Sequence, residues 1–462
     1  MTPRQILLPA LSLVLGACAG PPPPPPRPTA PSEITAQLLT RSLGDEGLQR
    51  FLRENLGQVP ATWDFEALSW AAFYFHPSLE VARAQWAAAR AKVQTADARP
   101  NPVVSLGPGY NSTREPGVSP WFPSISFDFL LPTSPQRARL QEGARADAEM
   151  ARLTVFTAAW QVRSELRAAL AQVATATQRA AALREQAGAQ RELLALLERR
   201  LASGFATAAE VSAARLACLR AETALTEAAQ QHTLALARTA AALGVPRAAL
   251  TGVALPVPTA GSALPALTLT DLLRQSLHAR ADVLTALAKL QSTEAALGGE
   301  VAKQQPDFHL GPGYQWDQGA NKWNVTLSFE LPLFHRNEGP VAEATARRAE
   351  AVAQFTAVQA QAIATIEQAV AAQSGAVTQI EQARRVRAEI AQQNALVQKR
   401  LALGAADQVE RQTARLELAV ADAALAEAES AAALAAGNLE DALQIPFPRL
   451  DALAHATPSS KP

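Results

Sequence analysis

The sequence predicts a mainly α-helical chain that carries a small membrane-facing β component, with the whole plan written twice. Three observations predict it. A strand stretch recurs: Val103-Val104-Ser105-Leu106-Gly107-Pro108-Gly109-Tyr110 returning as Pro123 to Pro132, and Asp307-Phe308-His309-Leu310-Gly311-Pro312-Gly313-Tyr314 returning as Trp323 to Pro332. Two helical patterns of about 65 residues run without a proline break, far longer than compact domains use. Matching positions lie about 200 residues apart, as in Arg200-Leu201 with Arg400-Leu401 and Gly204 with Gly404, so one unit is used twice.

The strands separate with a period of two into an apolar and a polar face. Ile125, Phe127, Phe129 and Leu131 oppose Ser124, Ser126 and Asp128; Trp323, Val325, Leu327 and Phe329 oppose Asn324, Thr326 and Ser328. About ten residues at ~3.3 Å and ~45° of tilt cross a ~25 Å apolar band. A hairpin packed on a soluble core would alternate similarly, but the rest of the chain offers no second layer of matching shape. The chain has 7 Trp and 3 Tyr. Tyr110, Trp121, Tyr314, Trp316 and Trp323 fall in or at the ends of these strands, where membrane girdle aromatics belong.

Taken in order, residues 1–17 read as a secretory signal, with Arg4 before a short apolar run. Leu15-Gly16-Ala17-Cys18 resembles the lipobox of bacterial lipoproteins, which implies cleavage before Cys18 and lipidation there; Ala19 is compatible with outer-membrane delivery. Residues 18–62 form the lipidated N-terminus and linker, in which Pro21 to Pro26, Pro28 and Pro31 predict an extended spacer. No run reaches 18 apolar residues, so spanning falls to strands.

The first repeat, 63–260, is expected to hold a helix from Phe65 to about Ala98 with Asp64 as its cap, a hairpin at 101–132, a long helix from Pro135 to about Ala202, and a helix from about Ala208 to Leu243. The second, 261–447, repeats this as Asp271 to Lys303, a hairpin at 306–332, about Pro340 to Leu403, and about Gln408 to Leu443; 448–462 is a tail. Two helices of ~50 Å equal one of ~100 Å, so the short ones should stack end to end beside the long one. Abundant Ala allows close helix approach, and Cys218 reads as a small core residue. Four strands cannot close a barrel, so sister copies must complete it: a dimer would give eight strands and a trimer twelve, and only the larger leaves an open lumen.

Lys plus Arg and Asp plus Glu are 42 each, giving no net charge and no basic surface for nucleic acid. The six His are scattered, with no metal-ligand spacing, and Gly107-Pro108-Gly109 lies mid-strand rather than before a helix. No enzyme and no cofactor is expected. Thr207-x-x-Glu210 and Asp407-x-x-Glu410 read as capping boxes that start the returning helices, and Gly204 and Gly404 as the residues that end the long ones.

The duplicated hairpins and the segments Arg200 to Val211 and Arg400 to Arg411 resemble the TolC family of outer-membrane efflux proteins, and the lipobox its lipid-anchored branch. The resemblance covers nearly all of the mature chain. It implies a homotrimer in which a twelve-stranded transmembrane β-barrel, four strands per chain, continues as a coiled-coil-like α-helical tunnel into the periplasm. It also implies a periplasmic adaptor and an inner-membrane pump as partners, outer-membrane lipid around the barrel, and a passive conduit for small solutes. Gly204, Thr207, Glu210, Gly404, Asp407 and Glu410 would then form the periplasmic tip, gate and adaptor contact, with acidic rings at Glu210 and Glu410. The chain departs from the family where Ala405 and Ala406 follow Gly404 in place of Arg and Tyr. The alternatives are a periplasmic adaptor or envelope scaffold lipoprotein with helical hairpins, or the outlet of a protein secretion system.

Overall fold

The computed structural model describes residues 30–112, 117, 119–131, 135–256 and 269–444. Elements follow in the order α1 (Pro31–Thr40), α2 (Glu46–Leu56), α3 (Phe65–Phe75), α4 (Pro77–Asp97), β1 (Val103–Tyr110), β2 (Trp121–Leu131), α5 (Gln136–Ala202) and α6 (Ala208–Leu243). The second half supplies α7 (Leu269–Ala279), α8 (Ala281–Ala302), β3 (Phe308–Asp317), β4 (Ala320–Phe329), α9 (Glu338–Ala402) and α10 (Gln408–Leu443). The signal, Cys18, the Pro21 to Pro28 run and the 448–462 tail lie outside the described residues.

The long helices have 67 and 65 residues, about 100 Å each at 1.5 Å per residue. Each runs beside a shorter partner on either side, α5 beside α4 and α6, α9 beside α8 and α10. The short helices meet end to end: the C-cap of α6, Gly244, touches the α3–α4 break, where an added Cβ would lie 2.7 Å from the Phe75 carbonyl oxygen. Small residues line the seams. Ala281, Ala288, Ala295 and Ala302 recur every seven residues and are all buried, as are Ala214, Cys218, Ala221, Ala228 and Ala235 on α6, the spacing of a coiled-coil seam with small knobs.

Two expectations need correction. The helix read from Phe65 to Ala98 breaks at His76, which is extended at ψ 124°, because Pro77 has no N–H to donate and forces the preceding residue out of helical conformation. The helix read from Asp271 to Lys303 breaks at Arg280 with no proline near it. Here tertiary contacts impose the break: the Arg280 guanidinium donates to the Ala442 carbonyl and to Asp282, and the Ala281 N–H donates to Gln444 Oε1 at 2.9 Å.

The N-terminal segment also does more than space. Pro31 opens α1 at the position where its missing N–H costs nothing. Leu48, Phe51 and Leu52 of α2 are buried against Trp70, Ala71 and Phe73 of α3 in the largest apolar cluster of the protein's described residues. The counterpart cluster in the second half contains only Leu272, Ile366, Ala369, Leu439, Ala442 and Leu443.

The four strands make one antiparallel sheet in the order β1-β2-β3-β4. Leu106 pairs with Ile125, Ile125 with Tyr314, and Tyr314 with Trp323, so the period-two apolar positions of both hairpins form one face. The sheet is packed strand on strand, without a helix laid extensively on either face.

Candidate functional sites: the sheet face and the helix turns

The apolar face of the sheet is bare. Trp323 is 80% and Val325 73% exposed, and Val104, Leu106, Leu327 and Phe329 are exposed as well. The opposite face carries Ser105, Ser126 and Asn324 in register with Gly313, and a pair the sequence did not announce: His309 Nδ1 lies 3.0 Å from Asp128 Oδ1. The glycines of the repeated motif belong to this second face. A Cβ at Gly109 would overlap the Phe122 ring, and one at Gly313 would overlap the Asn324 carboxamide, so the motif leaves room for side chains of the neighbouring strand to lie across the backbone.

All five girdle candidates sit towards one end. Tyr110 and Trp121 meet edge to face with ring centroids 5.1 Å apart, Tyr314 and Trp323 at 4.8 Å, and Trp316 pairs with Asn321 next to the β3–β4 turn. That is the end farthest from the helices. At the helix end the face is lined by Phe129, Phe308 and Phe329, with Phe308 and Phe329 centroids 5.2 Å apart.

At the other extreme of the long helices the chain turns twice in the same way. Gly204 and Gly404 adopt φ of 75° and 70°, a left-handed conformation that costs glycine nothing. The Phe205 N–H donates to the Arg200 carbonyl and the Ala405 N–H to the Arg400 carbonyl, both at 2.8 Å, satisfying carbonyls that a helix end leaves open. Phe205 and Leu403 stand 84% and 83% exposed at these turns.

The caps of the returning helices differ. Thr207 and Glu210 form a complete capping box: the Glu210 N–H donates to Thr207 Oγ1 at 3.2 Å, and the Thr207 N–H donates to Glu210 Oε2 at 2.6 Å. The backbone bond from Thr207 holds the Glu210 carboxyl below its usual range. At the second turn only half the box forms. Asp407 Oδ1 accepts from the N–H groups of Val409 and Glu410 at 2.8 Å each, but Glu410 turns away to Arg400, 2.5 Å from Nη1.

Arg200 brings a cation to the second turn. It reaches from the end of α5 to Asp407 Oδ2 at 2.7 Å, joining the turn of one half to the turn of the other. The backbone bond from Glu410 and the Arg200 guanidinium together hold the Asp407 carboxyl below the usual aspartate range. The available signal was the same Arg at the same place in both repeats, each in the last turn of a long helix where a cation favours the dipole.

A third cluster joins the halves midway along. Arg163 and Arg167 of α5 meet Glu440 and Asp441 of α10, with Arg163 Nη1 3.0 Å from Asp441 Oδ1 and Arg167 Nη1 2.9 Å from Glu440 Oε2. The Phe65 ring is stacked by both guanidinium groups, at 5.0 and 4.6 Å. Burial pushes the Asp441 carboxyl up against the pull of both arginines, whereas the bonds and charges of Arg167 and Arg163 outweigh burial at the half-exposed Glu440 and hold it down. Further along, Gln412 donates to Glu192 at 2.6 Å and Ser430 to Gln178 at 2.7 Å.

A sequence profile described as outer membrane efflux protein matches residues 74–245 and again 272–443, once for each repeat. No curated protein sequence matches the chain significantly. Among solved structures, the outer membrane protein VceC of Vibrio cholerae is 22% identical, with a TM-score of 0.68 over 82% of this chain and 95% of that one. The outer-membrane channel OprN is 20% identical, with a TM-score of 0.69 over 92% and 98%. The CmeC outer membrane channel of Campylobacter jejuni is 14% identical, with a TM-score of 0.69 over 84% and 89%.

Proposed function

Because the chain belongs to the outer membrane efflux protein family, we propose that three copies of this outer-membrane efflux channel close one barrel and one helical tunnel. The trimer carries small solutes delivered by an inner-membrane pump through a periplasmic adaptor. The observation that carries this reading is the open four-stranded sheet. Its edges β1 and β4 are unpaired, its apolar face is bare, and its other face carries Ser, Thr, Asn and Gly together with the Asp128–His309 pair, as a water-filled lumen requires. Four strands are too few to close, and twelve leave an aqueous pore. In this reading Tyr110, Trp121, Trp316, Tyr314 and Trp323 mark the outer membrane interface, and a lipid on Cys18 adds an anchor on the periplasmic side.

The tunnel mouth then lies at the Gly204 and Gly404 turns. Arg200 clasps the two turns of one protomer through Asp407, and the exposed Phe205 and Leu403 offer the adaptor an apolar edge. Of the two acidic candidates Glu210 is the stronger ring member, since Glu410 is neutralised by Arg400. Single-channel recording of the purified protein in planar bilayers tests this. We expect a trimer-sized pore whose preference for cations falls several-fold in Glu210→Gln and little in Glu410→Gln. An unchanged preference in both variants refutes the ring, and absence of any pore refutes the channel.

A further inference from the structure

The two repeats leave the sheet differently. The first exits as Leu131-Pro132-Thr133-Ser134 and the second as Leu331-Pro332-Leu333-Phe334-His335-Arg336. Two polar residues in one half are two large apolar ones in the other. Leu331 and Leu333 are exposed, and Phe334 is fully so. The presentation is built rather than loose. Gln304 Nε2 donates to the Arg336 carbonyl at 3.0 Å, Asn337 Nδ2 donates to the Glu300 carbonyl at 2.8 Å, and Asn337 turns the chain at φ 59° into α9.

Length places this segment. From Trp323 to Phe329, the end of β4, is six residues, about 20 Å of strand and about 14 Å along the membrane normal at ~45° of tilt. An apolar band of about 25 Å that begins at the Trp323 level therefore runs about 11 Å beyond the end of β4, over the stretch that holds the exposed Leu331, Leu333 and Phe334. The five Trp and Tyr residues of the strands all mark the far interface, and the helix-side interface has only phenylalanines. Two residues past Phe334, after His335, comes Arg336, an exposed residue whose guanidinium has no ion-pair partner among the described residues, at the depth where phosphates stand.

We infer that Leu333 and Phe334 insert into the phospholipid leaflet on the helix side of the membrane and that Arg336 binds a lipid phosphate there, giving each chain one aromatic and cationic anchor contributed by the second repeat alone. This rests on the reading of the sheet as a membrane barrel. It commits to lipid over a sister subunit because the exposed Leu331, Leu333 and Phe334 follow directly on the bare apolar face of Trp323, Val325, Leu327 and Phe329, and because a cation follows where the apolar band ends.

The test places an environment-sensitive thiol probe at Phe334→Cys in a Cys218→Ser background, corrected for labelling of that background alone. The protein is reconstituted in vesicles of phosphatidylethanolamine and phosphatidylglycerol with or without brominated acyl chains. Val325→Cys reports the sheet face and Phe205→Cys the helix turn. The inference expects at least twofold quenching by brominated lipid at 334 and 325 and none at 205. It also expects Arg336→Glu to lose most of the quenching at 334. Quenching at 325 without quenching at 334 overturns the inference alone and assigns the site to water or a sister subunit. No quenching at either position overturns the membrane reading beneath it. Quenching at 334 that Arg336→Glu leaves unchanged removes the phosphate contact.

Discussion

The two halves solve one problem with different parts. In each, the last helix ends against a break between two shorter helices, and its terminal carbonyls need donors in a half-buried place. In the first half Gly244 takes the left-handed conformation at φ 72°, and Arg41 reaches in from the N-terminal segment to the Phe75 and Gly244 carbonyls at 2.7 and 3.0 Å. In the second half Gln444 takes the same conformation at φ 45° without being glycine, and Arg280 at the break itself donates to the Ala442 carbonyl. Each half thus brings one guanidinium to the end of its last helix. Only the first borrows it from outside the repeat, along with an apolar cover. A duplicated fold can therefore keep its backbone while its supports diverge, provided each carbonyl finds a donor.

The ion cluster between the halves gives the largest break. Arg163→Met leaves Glu440 and Asp441 with half their compensation, and removing one partner of a buried pair typically costs about 3 to 5 kcal/mol. The measurement is the apparent melting temperature, with Arg191→Gln, half of an exposed pair with Glu222, as a control that should move it little. An equal shift in both variants means that the cluster does not hold the halves together.

Gly244→Ala must carry a Cβ at positive φ, costing about 1 to 2 kcal/mol, and must also displace the Phe75 carbonyl; we expect about 3 kcal/mol in all. Gln444→Gly relieves the backbone but abandons the bond from Ala281, two effects of about 1 kcal/mol each that nearly cancel. Arg41→Ala should cost about 2 kcal/mol through two orphaned carbonyls. If Gly244→Ala proves no worse than Gln444→Gly in chemical denaturation, the two ends are not differently supported.

Legibility followed the range of the forces involved. The long helices, α6, α10 and the sheet faces were readable because proline, glycine and apolar period act locally. Pro77 was a local signal too, and reading through it joined α3 to α4. The break at Arg280 had no local signal, since its donors and acceptors come from residues 442 and 444, more than 160 positions away. The packing of α2 escapes a reading of residues 18–62 as one linker from the prolines at its start, although no proline lies between Pro31 and Pro60. At the turns, Thr207 and Glu210 were legible as a box; Asp407 and Glu410 have the same spacing, but Arg400 draws the second carboxylate off. Cys18 and the spacer lie outside the described residues.

The turns give the smallest and most functional difference. Thr207→Ala removes a cap that only its own helix uses, worth about 1 kcal/mol, and should alter conductance little. Asp407→Asn keeps an oxygen for the cap but abolishes the charge that Arg200 grips, an exposed pair worth ~1 kcal/mol or less in stability. Its effect should appear at the proposed tunnel mouth, as a higher open probability. The pH dependence has a definite sign. The Asp407 carboxyl is held below its ordinary value of 3.8, so the bridge's contribution is whole above that value and is lost as pH falls through the lower, folded one. Wild-type open probability should therefore stay level until the pH on the turn side falls below about 3.8 and rise beneath it, while Asp407→Asn starts high and stays flat. A variant that titrates like the wild type would move the pH response to Glu210 and leave Arg200 without a role in holding the mouth.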